Sequence, residues 1–179
     1  FSVIAASLKK NDTAIATSAD IALGAVNGAH ALALQGHEIA VGVANLASLA
    51  ATGTSVVTDG VVTSGGQVYT GSTHLAGVYA GSSVTVDGAT TLDADASITA
   101  SGDILLGEIG GAHGLSLAGG AISLGHADLA GLSAMGDNIV TAGVVTSGAQ
   151  NYVGAVTLAG DYVASGLTID GAATLTGDI

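Results

Sequence analysis

Acidic side chains are the residues of this chain with the most evident chemistry, and there are 14 of them. Asp87, Glu108 and Asp128 follow one another at nearly equal intervals of about 20 residues. In a fold that returns to the same edge at that interval, these carboxylates would form one acidic edge. Like charges at strand spacing repel each other, so either they are staggered and solvated at corners or a divalent cation bridges them. Calcium is the only cofactor that the sequence suggests.

Enzymatic chemistry is not expected. Weaker acidic candidates are Glu38 with Asp59 and Asp93 with Asp95. Glycoside hydrolysis needs two carboxylates about 5 to 10 Å apart, a spacing that arises by chance in a small acidic protein. The chain has no Arg, and Lys9 and Lys10 stand together near its start, so no cationic cleft accompanies the acids. The Gly-Gly-x-Gly-x-Asp pattern of calcium-binding solenoids is absent. We predict no catalytic residues and no resident cofactor.

The histidines do not form a shared ligand set. His30 and His113 occupy equivalent positions in two Gly-Ala-His segments, which lie too far apart along the chain to share one metal ion. The remaining three have no histidine at the matching position: His37, His74 and His126. We interpret all five as surface or corner residues.

Glutamine and tyrosine recur together. Gln67 and Tyr69 return as Gln150 and Tyr152. We expect each tyrosine ring to be buried with its hydroxyl reaching solvent at a corner. We expect each glutamine amide to hydrogen-bond the backbone of a turn. A second recurring pair is Tyr79 and Tyr162. For that pair, an exposed ring that stacks on a sugar is the functional alternative to burial.

Composition excludes several classes of partner. A net charge of −12 without Arg argues against nucleic acid and anionic membranes, because phosphate binding depends on clustered Lys and Arg. The absence of Cys excludes a disulfide framework and thiolate metal sites. The 29 glycines and the scarcity of helix formers favour short strands joined by tight turns.

The elements that position these residues belong to an internal repeat. Residues 20–96 align without a gap on residues 103–179, at a constant offset of 83. A fixed period is typical of arrays whose units bury their apolar faces against one another. We expect one continuous segment (1–179) of a longer array: residues 1–19 end a preceding repeat, 20–102 form repeat one, and 103–179 form an incomplete repeat two.

Within each repeat, strand-length apolar clusters alternate with turn signals such as Asn27-Gly28 and Asp59-Gly60. Every third cluster falls in one of three columns, of which the first is Leu23, Val41, Val62, Val84, Leu106, Leu124, Val145 and Leu167. This pattern predicts an all-β fold, a right-handed parallel β-helix or three-sided β-solenoid. It should have about 20 residues per coil and about four coils in the 83-residue unit.

Paired residues of the two repeats indicate which positions face inward. Interior pairs exchange one apolar residue for another of similar volume: Val26 with Ile109, Val41 with Leu124, Val56 with Ile139, Val84 with Leu167, and Val86 with Ile169. By contrast, Thr73 with Val156 and Val78 with Asp161 are expected to lie outward or at corners.

Other architectures fit less well. A β-propeller has antiparallel blades of about 40 to 50 residues, and an immunoglobulin-type array normally brings a buried Trp or a Cys pair. Residues 39–58 carry no charge over a length that just spans a bilayer. The equivalent residues 122–141 include His126, Asp128 and Asp137, so we expect both stretches to be soluble strands without membrane insertion.

A family resemblance adds an expectation about function. The stretch GVVTSGAQNYVGAVTLAGDYVASGLTIDGAATL at 143–175, with its counterpart GVVTSGGQVYTGSTHLAGVYAGSSVTVDGATTL at 60–92, resembles the repeats of filamentous haemagglutinin-like large exoproteins. The pattern that carries it is Thr-Ser-Gly-x-Gln-x-Tyr-x-Gly followed by apolar, Gly-rich strands. The resemblance implies a secreted, right-handed parallel β-helical rod used in adhesion and cell contact, with no catalytic residues in its repeats.

Two classes of function follow. The first is the non-catalytic shaft of a secreted or cell-surface bacterial adhesin, whose partner is a host or neighbouring-cell surface. The alternative is a self-assembling extracellular filament or surface layer, whose partners are copies of itself. A shaft should be polar and variable outside, whereas a filament needs small, apolar or Thr/Ser-rich outer positions. Ice binding would need a threonine column through every turn, and none persists. The resemblance ranks the adhesin first.

Overall fold

The structure, a computed structural model, describes residues 11–176 together with the backbone of two short strands, Ser2–Val3 and Ala6–Ser7. In this part of the chain the regular structure is all β, and parallel strands stack as a β-solenoid of about ten turns. The expected fold class is therefore confirmed. Lys9, Lys10 and Ile179 lie outside the described residues.

The strands follow one another with few intervening residues. In chain order they are β1 (Ser2–Val3), β2 (Ala6–Ser7), β3 (Thr13–Ala16), β4 (Ile21–Leu23), β5 (Val26–Asn27), β6 (Ala31–Gln35), β7 (Glu38–Val41), β8 (Ala44–Leu46), β9 (Ser48–Thr58), β10 (Val61–Thr63), β11 (Gly66–Gly81), β12 (Ser83–Asp87), β13 (Thr90–Ala100), β14 (Ile104–Leu106), β15 (Ile109–Leu124), β16 (Ala127–Thr141), β17 (Val144–Thr146), β18 (Ala149–Leu158), β19 (Tyr162–Val163), β20 (Gly166–Asp170) and β21 (Ala173–Leu175).

Each turn has three faces. In one turn, β7 forms the first face, β8 the second, and residues 48–52 of β9 the third. Strands away from the two ends of the described chain pair in parallel with the turns before and after them, as Ile39 does with Ile21 and Val56. Because alternate side chains of a strand point to opposite sides, each strand sends its large apolar residues inward and smaller or polar residues outward. The burial pattern of β7 is typical, with Ile39 and Val41 buried and Ala40 exposed.

Several strands run round corners without interruption. β11 crosses the third, first and second faces, and its register shifts between Thr70 and Ser72 and between Leu75 and Gly77. Gly71 forms one of these corners with a φ of +117°, and a Cβ atom there would collide with the carbonyl oxygen of Gly53. Only glycine adopts this corner without strain.

The turn of the solenoid is slightly shorter than the sequence suggests. Successive first-face positions are Ile21, Ile39, Val56, Thr73 and Thr90, so each step is two or three residues shorter than the expected spacing of about 20. Ile104, the equivalent of Ile21, lies two faces beyond Thr90 and belongs to the third face, where it pairs with Val84. The 83-residue repeat therefore completes four turns and two thirds of a fifth.

As a result, equivalent residues of the two repeats lie on different faces. Gln67 pairs with Leu49 on the third face, whereas Gln150 pairs with Leu132 on the second. At a strand separation of about 4.8 Å, one repeat advances the rod by about 22 Å. The two repeats are thus related by a screw motion of two thirds of a turn.

This phase difference corrects the three columns expected from the sequence. Leu23 and Val41 stack as expected on the first face. Val62 instead belongs to the second face, points outward and is 42% exposed, and Val84 belongs to the third face. Columns drawn at the expected spacing drift across the faces because the real spacing is shorter.

The core runs along the axis of the rod. Of the expected interior pairs, Val26 with Ile109 and Val56 with Ile139 are buried, while Leu167 in the last described turn is exposed. The expectation for Thr73 and Val156 was wrong, because both side chains are buried. The Thr73 hydroxyl enters the core because it donates to the Gly71 carbonyl at 3.1 Å. Within the described part of the chain, no helix has the length and apolarity needed to cross a membrane.

Candidate functional site

The proposed acidic edge is not assembled in this fold. Asp87 pairs with Thr70 at the end of a third-face strand, and Asp128 points outward from the first face opposite Gly110. Glu108 lies at the corner before the first face, where its carbonyl accepts a hydrogen bond from the Thr90 amide. Because the turn is shorter than the interval between these acids, they fall progressively out of line. Among the described residues, no group of three or more His, Asp or Glu side chains is placed to hold a metal ion.

The weaker acidic pairs are also separated. Glu38 begins a first-face strand opposite Ser55, whereas the Asp59 amide bonds the Val41 carbonyl at the far end of that face. The other candidate pair binds two different partners: Asp93 contacts His74, and Asp95 accepts from the Gly114 amide. Neither arrangement leaves two carboxylates facing a common substrate position.

Histidines and aspartates instead pair across adjacent turns. His74 Nδ1 lies 3.1 Å from Asp93 Oδ1, and His37 Nδ1 lies 3.2 Å from Asp20 Oδ1. Two looser contacts, at 4.0 and 3.8 Å, join His30 to Asp12 and His113 to Asp95. These side chains are all partly exposed, which agrees with a surface position. Sequence reasoning missed the partners; an Asp about one turn away from each of these His residues was the available signal.

The Gln–Tyr motif forms a buried polar network. The Gln67 amide nitrogen donates to the carbonyls of Val61 and Ala80 at 2.9 and 2.8 Å and to the Thr63 hydroxyl at 3.2 Å. The Tyr69 hydroxyl donates to the Gln67 side-chain oxygen at 2.9 Å. The amide binds backbone carbonyls as expected, but these belong to strand residues and not to a turn. The tyrosine hydroxyl stays inside the core and does not reach a corner.

Repeat two reproduces the same network on another face. Gln150 donates to the carbonyls of Val144 and Val163 at 2.8 and 2.9 Å and to the Thr146 hydroxyl at 3.3 Å. The Tyr152 hydroxyl donates to the Gln150 side-chain oxygen at 3.2 Å. Both networks are saturated by backbone and side-chain partners, so they are structural and leave no group free for a ligand.

Tyr79 does not present a sugar-stacking surface. Its ring is buried and packs edge-on against Tyr69, with ring centroids 6.4 Å apart and planes at 87°. Burial raises the pKa of Tyr79 to about 12, even though the hydrogen bond with Thr58 favours the ionised form. Tyr162 is only partly buried, yet its hydroxyl is bound to the Thr141 side chain at 2.6 Å. The stacking alternative was wrong for Tyr79.

An axial groove recurs in both repeats, and sequence reasoning missed it. In repeat one it crosses four turns of the third face, past Ala14, Ala33, Ala50 and Val68, with a volume of 400 Å³. In repeat two it crosses the second face, past Ser97, Ser116, Ser133 and Asn151, with a volume of 510 Å³. Every residue that lines the first groove has its repeat equivalent in the second. We call both copies the axial groove.

A second concavity also recurs. It lies beside Asn45 and Val62 in repeat one and beside Asp128 and Val145 in repeat two, with volumes of 550 and 500 Å³. Its two copies differ in charge, since Asn45 is replaced by Asp128. Concave regions of the surface therefore recur from one repeat to the next, as the core residues do.

The chain matches no protein-family model, no curated protein and no solved structure. Its function must therefore be inferred from its own geometry.

Proposed function

We propose that this chain is the shaft of a secreted or cell-surface adhesin, a non-catalytic spacer that holds binding elements away from the cell. The observation that carries the proposal is the contrast between the inside and the outside of the two repeats. Inside, the Gln–Tyr network is kept atom for atom. Outside, several equivalent residues differ in size, as Ala22 does from Leu105 and Thr52 from Met135. Selection on a spacer acts most strongly on the interior of the rod.

The backbone pairing supports a stiff rod. Each turn is hydrogen-bonded along its length to the turns on either side, and the core continues from one turn to the next. Ten turns at about 4.8 Å give a rod of roughly 45 Å. Stability in such arrays is the sum of many similar interfaces between neighbours, so added repeats extend the rod without changing its design.

Lateral self-assembly remains the second candidate, because the outward faces are poor in charge. Leu105, Val140 and Met135 are 47%, 40% and 57% exposed, and apolar outer positions suit close packing. The phase of the repeat disfavours it. A patch on the third face of one repeat returns on the second face of the next, so successive repeats cannot present one continuous face to a neighbouring rod.

The experiment follows the full-length protein on the cells that express it. Surface proteolysis and cell fractionation should locate the chain outside the cytoplasm, and a cytosolic protein would contradict the proposal. Removing residues 20–102 should shorten the rod by about 22 Å in electron micrographs. Cell attachment should fall because a shorter rod holds the binding elements closer to the cell.

A matched replacement separates the spacer from the filament. Residues 20–102 are restored in two proteins, one with a native repeat two and one in which the exposed apolar residues Leu105, Met135 and Val140 of repeat two are changed to Ser. For a spacer, both forms restore attachment equally. If only the native form does so, and the rods bundle in micrographs, the filament is the correct function.

A further inference from the structure

The axial groove stays open although its residues change. Along its floor, Ala31 is replaced by Gly114, Ser48 by Gly131, and Gly66 by Ala149. Each substitution exchanges one small residue for another. Elsewhere on the outside of the rod, equivalent residues change size, as Ala80 does against Val163. At these three floor positions the identity of the residue changes while its size stays small, which indicates a constraint on the space above this part of the groove.

The second row of the groove shows the same constraint with a change in chemistry. Three of its four residues are alanines in the first copy and serines in the second: Ala14, Ala33 and Ala50 become Ser97, Ser116 and Ser133. The row ends on a larger residue in each copy, Val68 or Asn151. The groove is thus apolar in one repeat and lined by hydroxyl groups in the other. Both versions accept a narrow, extended chain with small side chains.

The fold does not require glycine at two of these positions. A Cβ atom added to Gly114 would meet only the Asp95 carboxylate, at 3.5 Å, and one added to Gly131 would meet the Ala149 carbonyl oxygen at 3.4 Å. Both distances are ordinary or nearly ordinary contacts, and neither glycine has the positive φ that excludes other residues. At Gly66 a Cβ atom would lie 2.9 Å from the Ser83 hydroxyl oxygen, so that glycine is explained by packing. The backbone therefore admits a side chain at Gly114 and Gly131, and packing alone does not explain why both are glycine.

A carboxylate stands at the head of each groove. Asp12 Oδ1 accepts from the Ala31 amide at 3.0 Å, and Asp95 Oδ1 accepts from the Gly114 amide at 2.8 Å. This bond fixes the side chain above the groove while 79% and 86% of its surface stays exposed. The head of each groove therefore offers an oriented, accessible carboxylate in a chain of net charge −12. An imidazole stands beside it, His30 at 4.0 Å from Asp12 and His113 at 3.8 Å from Asp95.

We propose that the axial groove binds an extended, cationic polypeptide segment of a partner protein. Four turns span about 14 Å, the length of about four extended residues, and Asp12 or Asp95 would accept a Lys, Arg or amino-terminal group. Neither lining includes an aromatic side chain on which a sugar ring could stack. Charge complementarity and narrowness together select a basic peptide strand. The proposal goes beyond the spacer function and does not depend on it.

The probe is a fluorescent peptide of alternating Lys and Ala, about eight residues long, titrated into the chain and followed by anisotropy. A peptide of alternating Glu and Ala and a neutral linear oligosaccharide serve as comparisons. We expect only the Lys-Ala peptide to bind. Failure of that peptide to bind, or binding of the sugar alone, overturns the proposal.

Matched variants distinguish the groove from general attraction to an acidic protein. The double variant D12N/D95N should weaken binding about tenfold, whereas D20N/D103N removes the same charge from another equivalent acidic pair and should change it less than about twofold. Equal losses would mean nonspecific electrostatic attraction and would contradict a groove site.

Filling the groove provides a test that does not change charge. A50L/S133L places bulky side chains in both copies and should abolish binding, while A40L/S123L makes the same substitutions on exposed strands outside the grooves. Circular dichroism and melting curves confirm that both variants are folded. Retained binding in A50L/S133L would overturn the proposal, and rod length in micrographs tests the spacer function separately.

Discussion

Gln67 and Gln150 make the same set of side-chain hydrogen bonds on different faces of the rod. Gln67 stacks on Leu49 on the third face and Gln150 on Leu132 on the second, yet each amide binds two carbonyls and one threonine hydroxyl. The second and third faces are therefore equivalent environments for this motif. A repeat length that is not a whole number of turns leaves the hydrogen bonds of this network unchanged.

Replacing Gln67 by Leu should lower the free energy of unfolding by about 3 kcal/mol, because the carbonyls of Val61 and Ala80 lose their donor while buried. Urea denaturation followed by circular dichroism measures the change. The matched control is Gln35→Leu, since Gln35 is exposed, and there we expect a change below about 0.5 kcal/mol. Equal effects of the two substitutions would refute the network as a source of stability.

Gly71→Ala should destabilise the rod by at least about 3 kcal/mol, because φ is +117° and the new Cβ collides with the Gly53 carbonyl oxygen. Gly114→Ala is the control. It installs the residue that repeat one carries at Ala31, and its Cβ has room. The two melting temperatures should differ clearly; a Gly71→Ala protein as stable as the control would show that the corner tolerates a side chain.

Thr90→Val should stabilise the protein by about 1 kcal/mol, because the Thr90 hydroxyl is buried without a hydrogen-bond partner. Thr73→Val, one turn earlier in the same column, should destabilise it by a similar amount, since the Thr73 hydroxyl donates to Gly71. Chemical denaturation of both variants gives the two signs. Loss of stability in Thr90→Val would indicate a partner, such as a buried water, for its hydroxyl.

Alkaline pH should unfold the rod through its tyrosines. Burial raises the pKa of Tyr79 to about 12 and that of Tyr69 well above its usual range, so both are neutral in the folded state at a pH where the unfolded chain ionises. The stabilisation is fully present below the unfolded pKa of about 10 and is lost as pH rises through the folded value, at up to about 1.4 kcal/mol per pH unit for each residue. Urea midpoints from neutral pH upward measure the decline. Tyr79→Phe should flatten it, and an unchanged slope would rule out Tyr79 as a contributor.

The fold was accessible from the sequence because strand-length clusters and Gly-containing turns recur throughout, and because paired residues such as Val56 and Ile139 keep the core apolar. The role of the Gln67 amide was also accessible, since a recurring Gln beside a recurring Tyr indicates a buried polar group that needs partners.

The phase of the repeat was not accessible, and several errors follow from it. An 83-residue period suggests that one repeat fills a whole number of turns. The strand pairing, for example of Ile104 with Val84, shows that one repeat does not. A whole number of turns implies a longer turn, and at that spacing Asp87 and Glu108 are expected to stack. The same spacing hides the Asp–His neighbours that the structure contains, such as Asp93 and His74. Thr73 was misplaced for another reason: a buried hydroxyl group that donates to a nearby carbonyl looks like a surface residue in a sequence.

Each repeat is rotated by two thirds of a turn relative to the one before it. A feature that recurs in every repeat is therefore not confined to one side of the rod. Three successive repeats would close the cycle after 14 turns, or about 67 Å, having turned any one surface feature toward every side. A partner that approaches such a rod from an arbitrary direction meets the same feature without the rod having to rotate about its axis. For the proposed shaft, an encounter with a partner then depends on the length of the rod and not on its orientation.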